Sequence, residues 1–335
     1  MTSPASPPVP PLADLLAGAR VVSLPLATRF RGVEHREAAL IEGPLGWAEF
    51  SPFLEYADDE AATWLAAAID FAWHAQPEAV RTEIPVNATL PAVPVERVGE
   101  VLARYDGCRT VKVKVAERAQ TLADDVARVR AVRELLGPEG RVRIDANGGW
   151  NVDEAEHAAH ALAEFDLEYL EQPCATVAEL AELRTRLRRW DLPIAADESV
   201  RKAQDPLAVA RAGAADLVVV KAQPLGGVRR ALEIVAATGL PAVVSSALDT
   251  SVGLSQGAAL AAALPDLPFD CGLGTASLLA ADVVADPLVP RGGAIPAGRV
   301  IPDPALLDAH AAPPERRAAW LERIARCHAL LSGTA

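Results

Sequence analysis

Between residues 84 and 273 the chain repeats one unit: a short apolar run rich in β-branched residues, then a stretch with helical spacing, then another run. The runs fall at 84–90, 110–115, 142–147, 167–172, 192–198, 216–221, 242–247 and 269–273. The helical stretches fall near 122–136, 152–164, 177–190, 205–212, 228–238 and 252–264. Runs that are apolar nearly throughout bury both faces, as in a parallel sheet flanked by helices. Eight of them predict a closed α/β barrel in preference to an open sheet.

In such a barrel the βα loops converge only at the C-terminal ends of the strands, so polar residues placed there are the site candidates. Asp145, Glu171 and Asp197 each close a run, at intervals of 26 residues. Taken singly, Asp145 reads as a turn former or a helix cap; the repetition makes it part of a series. Asn147 points to the same side of its strand as Asp145. Three carboxylates converging without a cation would repel, since like charges about 4 Å apart cost several kcal/mol at a protein-like dielectric. A divalent ion removes the difficulty, and an all-oxygen set without His or Cys favours Mg²⁺, with Mn²⁺ as the alternative. The six histidines, His35, His74, His157, His160, His310 and His328, fall on expected helices, the N-terminal unit or the tail. His157 and His160 share a helix face, as residues of an amphipathic helix do.

Lys112 and Lys114 interrupt the second run with period two, so both point to one face among valines. An exposed edge strand would account for them in an antiparallel sheet, but a strand inside a parallel series is covered. If both face the interior, each needs a charged partner or a lowered pKa, because an isolated buried ammonium is costly. A lysine brought toward neutrality is a usable general base. Lys221 ends the sixth run, across the ring from the second. Two lysines on either side of a metal describe a site that removes a proton next to a carboxylate, with the resulting charge stabilised by the metal and the second lysine. A Schiff-base aldolase would need one such lysine but not three carboxylates. Asn147 and Glu198 fit supporting positions that orient water, ligand or lysine.

Outside the repeat, residues 12 to about 50 read as a small antiparallel unit, with strand-like stretches at 20–26 and 37–42 and turn residues Gly43, Pro44 and Gly46; 58–73 has helical spacing. A further helix is expected at 314–331, packing back on this unit. The expected division is a capping domain from 1–82 plus about 286–335, with 1–10 as a flexible tail, and a catalytic domain from 83–285. A net charge of −13 argues against nucleic acid and anionic membrane as partners. The proline-rich start lacks the form of a secretory signal, and no charge-free apolar run is long enough to span a bilayer. Four scattered cysteines, at 108, 174, 271 and 327, suit a reducing cytoplasm better than a disulfide framework. The partner expected is a small-molecule carboxylate; the oligomeric state stays open, a monomer being compatible with everything above.

With Lys112-Val-Lys114, Asp145-Ala-Asn147, Glu171-Gln-Pro, Asp197-Glu-Ser and Lys221 in this order on consecutive runs, the chain resembles the enolase superfamily, over nearly its whole length. Through Thr28-Arg-Phe-Arg-Gly32, Gly46-Trp-Ala-Glu-Phe-Ser-Pro-Phe53, Ser245-Ser246 and Cys271-Gly-Leu-Gly-Thr275 it resembles, more narrowly, the o-succinylbenzoate synthases of the actinobacterial type. The resemblance implies a modified TIM barrel, (β/α)7β, with an α+β capping domain. It implies Mg²⁺-dependent syn dehydration of 2-succinyl-6-hydroxy-2,4-cyclohexadiene-1-carboxylate in menaquinone biosynthesis, a lyase reaction. Lys114 would be the base and then the acid, Lys221 the stabilising cation, and Asp145, Glu171 and Asp197 the metal ligands. Arg29 and Arg31 would close over the substrate, and Ser245, Ser246, Gly272 and Gly274 would meet its succinyl carboxylate; barrel closure and tight turns account for the last four equally well. An N-acylamino acid racemase or a dipeptide epimerase of the same superfamily would use the same two lysines as bases on opposite faces. A dipeptide epimerase usually carries an acidic pair on the eighth strand, whereas here Asp270 precedes Cys271-Gly272-Leu273 alone. A non-catalytic binding barrel would have lost a ligand or a lysine, and none is missing.

Overall fold

A computed structural model describes residues 9–30, 32–202 and 205–333. After helix α1 (Leu12–Ala17), strands β1 (Ala19–Phe30), β2 (Val33–Gly43) and β3 (Gly46–Phe50) form an antiparallel sheet, covered by α2 (Asp58–Trp73). β1 and β2 run longer than the strand-like stretches 20–26 and 37–42, and β1 continues to Phe30 within the segment that carries Arg29 and Arg31. Pro25 has no N–H for the ladder, and the register slips between Pro25 and Phe30, so the hairpin continues across a bulge. Residues 1–8 of the expected tail lie outside the described residues.

β4 (Glu83–Pro85) and β5 (Ala88–Leu90) come from a single predicted run. Pro85 ends the first piece, which pairs antiparallel with β12 (Ala294–Pro296) beneath the barrel. Then follow α3 (Val98–Leu102), β6 (Thr110–Lys114), α4 (Leu122–Leu136), β7 (Arg141–Asp145), α5 (Val152–Leu162), β8 (Leu167–Glu171), α6 (Val177–Leu187), β9 (Ile194–Ala196), α7 (Glu198–Arg201), α8 (Ala208–Arg211), β10 (Leu217–Val220), α9 (Val228–Thr238), β11 (Ala242–Val244) and α10 (Ser251–Ala263). Strands β5 to β11 form one parallel sheet in sequence order. The expected eighth strand is reduced to Cys271 and Gly272, which bridge Val86 on one side and Ser245 on the other. Those two bridges close the ring, giving the modified TIM barrel that the run pattern predicts.

Three successive helices start with the same device. Thr121, Asn151 and Thr176 each accept the backbone N–H three residues on, and Asp124, Glu154 and Glu179 reach back to the cap's own N–H. Outward strand residues such as Val111, Val113, Val142 and Ile144 pack under these helices, while Tyr169, Ala195, Leu217, Val219 and Val243 fill the barrel interior. A separate apolar cluster joins Phe50, Phe53, Trp64 and Leu65 to Trp320, Ile324 and Cys327 of α12 (Pro314–Ser332), which follows α11 (Pro304–Ala309). The Phe50 and Trp320 rings meet edge to face at 5.7 Å. Among the described residues no helix is long and apolar enough to cross a membrane.

The cap is fastened to the loop after β11 by polar groups. Glu49 accepts from the backbone N–H groups of Thr250 (3.0 Å) and Gly253 (3.2 Å) and from the Thr250 hydroxyl (2.6 Å), so a cap side chain holds the N-terminus of α10. Arg36 donates to the Leu248 carbonyl at 3.0 Å. Leu248 adopts a left-handed backbone, φ +64°, which turns this loop toward the barrel mouth.

Candidate active site

The alternation of β6 sends Val111 and Val113 outward and Lys112 and Lys114 into the barrel, where both are buried. Register places Lys114 opposite Asp145 on β7, and Asp145 opposite Glu171 on β8. Each lysine therefore finds a carboxylate. Lys112 Nζ donates to Glu171 Oε1 at 2.7 Å and lies 3.1 Å from Asp145 Oδ2. Lys114 Nζ donates to Asp145 Oδ2 and, at 2.7 Å, to Asn147 Oδ1. Across the ring Lys221, just past β10, donates to Asp197 Oδ2. Asn147 Nδ2 donates to Glu198 Oε1 at 3.2 Å, which links the two sides.

The electrostatics follow from these pairings. Burial by itself would raise Asp145 and Asp197; Lys114 and Lys112 outweigh it at Asp145, Arg201 and Lys221 at Asp197, and both carboxyls are held well below the ordinary range. Glu171 goes the other way: burial and then the Asp145 charge push it up to about 7, against the pull of Lys112. Burial would lower Lys112, but Glu171 and Asp145 more than reverse it. At Lys221 burial prevails over the attraction of Asp197, and the amine holds its proton less tightly than an exposed lysine does.

As the side chains stand, no three His, Cys, Asp or Glu groups among the described residues are gathered closely enough to surround an ion. Each of the three carboxylates is turned onto a lysine instead. The donors nevertheless fit a hard divalent cation: all are carboxylate oxygens, and Glu171 Oε2 and Glu198 Oε2 are buried without a hydrogen-bond partner, an arrangement that costs free energy unless something positive meets them.

The backbone around these groups is specialised. Asn147 (φ +47°) and Gln172 (φ +37°), each following a carboxylate strand end, are left-handed. Gln172 turns its amide inward, accepting from the backbone N–H groups of Asp197 (2.9 Å) and Ser199 (3.1 Å), and thereby ties the end of β8 to the end of β9. After Asp197 the chain turns at once into α7, whereas the sequence pattern extends the strand to Glu198. That turn brings Arg201 back over Asp197, at 2.9 Å, an i,i+4 contact not anticipated from sequence although its spacing was visible.

One pocket opens onto the three lysines, Asp145, Asn147 and Asp197, with Glu171 and Glu198 standing behind its wall. It is lined by Lys112, Lys114, Asp145, Asn147, Asp197, Arg201 and Lys221 below, and by Phe30, Phe53, Ser245, Ser246, Leu248, Gly272 and Thr275 around the rim. The Lys114 ammonium lies 5.7 Å from the Phe30 ring centroid. Ser246 donates to the Gly272 carbonyl at 2.7 Å and bonds the Thr275 hydroxyl at 2.8 Å. Gly272 is packed so closely that a Cβ would meet Ser245 Oγ at 2.4 Å. Gly274 stands back from the pocket, against the Asn87 carbonyl, Pro290 and Tyr105. Arg29 is exposed and does not line the pocket, and Arg31 lies outside the described residues. Phe30, between them, is the residue of that segment facing the lysines.

Comparison with known proteins places this geometry. The enolase N-terminal domain-like family matches residues 21–72 and the enolase C-terminal domain-like family residues 95–302. The o-succinylbenzoate synthase of Mycolicibacterium smegmatis is 57% identical over 324 residues, covering 96% of this chain and 99% of that protein. That of Mycobacterium tuberculosis is 57% identical over 326 residues, covering 97% and 98%. The chain belongs to the o-succinylbenzoate synthase family of the enolase superfamily. Solved structures of the superfamily fold include 2-chloromuconate cycloisomerase from Rhodococcus opacus, with a TM-score of 0.74 at 24% identity over 88% of this chain and 98% of that one. The L-Ala-D/L-Glu epimerase of Bacillus subtilis gives 0.72 at 22%, over 85% and 96%. At these identities they show the superfamily's architecture and nothing narrower.

Proposed function

We propose that this protein dehydrates 2-succinyl-6-hydroxy-2,4-cyclohexadiene-1-carboxylate to o-succinylbenzoate, as a step of menaquinone biosynthesis. Full-length identity to o-succinylbenzoate synthases carries the reading, and the buried lysines and carboxylates supply the means. Lys114 removes the proton on the carbon bearing the ring carboxylate, and its conjugate acid returns that proton to the departing hydroxide from the same face. One C–H and one C–O bond break, one C=C bond forms, water leaves, and the product ring is aromatic. Asn147, accepting from Lys114, and Glu198, accepting from Asn147, hold the base on line. Lys221, on the far side, supplies positive charge to the electron-rich ring. Asp145, Glu171 and Asp197 would hold a divalent cation, Mg²⁺ by donor type and Mn²⁺ as substitute, whose chemistry is to stabilise negative charge on the substrate carboxylate. The rim residues Ser245 and Ser246 offer hydroxyls to the succinyl arm; Gly272, whose N–H is taken by the Val244 carbonyl, offers only the space that its missing side chain leaves. All four cysteines are free, in keeping with a cytoplasmic enzyme.

A racemase or dipeptide epimerase would use the same lysines. Asp270, the acid within the eighth run, is engaged at the other end of the barrel, accepting from Thr110 and Arg141 at the starts of β6 and β7. The test is consumption of the cyclohexadiene substrate with Mg²⁺ and with chelator. Chelation should abolish turnover, and Lys114→Ala should lower it by about 10³-fold or more, within reach of a general base's contribution. Full activity in either condition refutes the assignment.

A further inference from the structure

One buried guanidinium joins the cap to the carboxylate cluster. Arg201, at the end of α7, is 6% exposed. Its Nε donates to Asp197 Oδ1 at 2.9 Å, its Nη2 to Glu198 Oε1 at 2.6 Å and its Nη1 to the Tyr56 hydroxyl at 3.3 Å. The two carboxylates belong to the barrel, while Tyr56 belongs to the cap loop before α2. Tyr56 is itself held firmly. Arg323 of α12 donates to its carbonyl at 2.6 Å, its ring packs against Phe53 and Trp64, and the Lys202 ammonium lies 4.2 Å from the ring centroid. The connection thus runs from the last long helix, through Tyr56, to Asp197.

A permanent positive charge beside a carboxylate that ligates a cation needs a reason, since charge alone would make it a competitor. The geometry supplies one. The planar fork spans two consecutive acids, a task that suits guanidinium and not a point charge. By taking Asp197 Oδ1 it fixes the rotation of that carboxyl and leaves Oδ2 turned toward Lys221. By taking Glu198 Oε1 it fixes the group that orients Asn147, and hence Lys114. We propose that Arg201 is a positioning residue that sets Asp197 and Glu198 for the divalent cation, and that Tyr56 makes this grip depend on a seated cap. The inference rests on the reading of Asp145, Glu171 and Asp197 as the metal ligands.

The two roles predict opposite signs. If Arg201 were only a counter-charge, removing it would tighten cation binding; if it positions the carboxylates, removal weakens it. Mn²⁺ titration of the full chain, followed by the electron paramagnetic resonance of free Mn²⁺, reads the sign directly without substrate. Arg201→Met should raise the dissociation constant about tenfold or more, as loss of residues behind a metal ligand does. Arg201→Lys should recover part of the loss, and Tyr56→Phe, which keeps the ring, should weaken binding about two- to fivefold. Melting curves in chelator check that each variant is folded; should Arg201→Met not fold, Tyr56→Phe decides. Unchanged or tighter Mn²⁺ binding in the folded Arg201→Met protein overturns the inference, as does unchanged binding in Tyr56→Phe. No Mn²⁺ bound by the unaltered protein overturns instead the metal-ligand reading beneath it.

Discussion

Replacing Lys112 by methionine removes an ammonium and leaves its volume nearly filled. In the structure that ammonium lies 2.7 Å from Glu171 and 3.1 Å from Asp145, with all three side chains buried. Its loss strands two carboxylates that Lys114 alone cannot neutralise. Breaking one side of a buried ion pair costs about 3–5 kcal/mol, whereas replacing a whole pair by apolar groups is close to neutral, so the variant falls in the costly class. At about 2–4 °C per kcal/mol, the scale of domains of 150–250 residues, the melting temperature in chelator at pH 8 should drop by roughly 6–20 °C. Two conditions should shrink the deficit. At pH 5 Glu171, already pushed up to about 7, is protonated and carries no charge to strand. On the proposed reading of these carboxylates as metal ligands, excess Mg²⁺ should supply the missing positive charge, so the variant should gain more from the ion than the unaltered protein does. Differential scanning calorimetry at both pH values, with and without Mg²⁺, measures all four corners. Equal melting temperatures in chelator at pH 8 would refute the claim that Lys112 neutralises the carboxylates.

Two further outcomes concern the rim and its supports. Burial, then the charge of Asp249, pushes Glu49 up to about 7 from an ordinary 4.5, so the folded chain holds a proton that the unfolded chain has released. Stability from this group is present in full below about pH 4.5 and is lost as pH rises through 7, on the order of 3 kcal/mol in all. Glu49→Gln should therefore flatten the pH dependence of the urea midpoint between pH 5 and 8, and parallel slopes would count against it. Gly272→Ala should cost about 1–3 kcal/mol by overpacking against Ser245, with part regained in Gly272→Ala combined with Ser245→Gly.

The barrel and its charged centre were legible because their signals are local and repeated. A carboxylate recurs every 26 residues, always at the end of an apolar run, and a pair of lysines with period two admits one orientation inside a covered sheet. What escaped the sequence depends on distant contacts or on abrupt turns. Arg201 reaches Asp197 only because α7 starts where the strand pattern continues through Glu198. Glu49 caps a helix 201 residues away, and no periodicity in either segment announces the partner. Pro85 splits one apolar run between two sheets. Phe30 was hidden between two arginines that drew attention to themselves, because a charge in a loop is conspicuous in sequence and a ring facing a cavity is not.

The left-handed backbone at Asn147 and Gln172 has a consequence for anyone who would make this enzyme hardier. A side chain in that conformation costs of order 1 kcal/mol or more, and glycine would relieve it. A search for heat resistance that scores backbone comfort would thus favour glycine at both places. Each such exchange would discard an amide that works: the oxygen facing Lys114 at 2.7 Å, or the one that anchors the amides of Asp197 and Ser199. Durability gained at these two positions would be drawn from the chemistry itself, so robust variants should be sought on the outer helices, with both turns left alone.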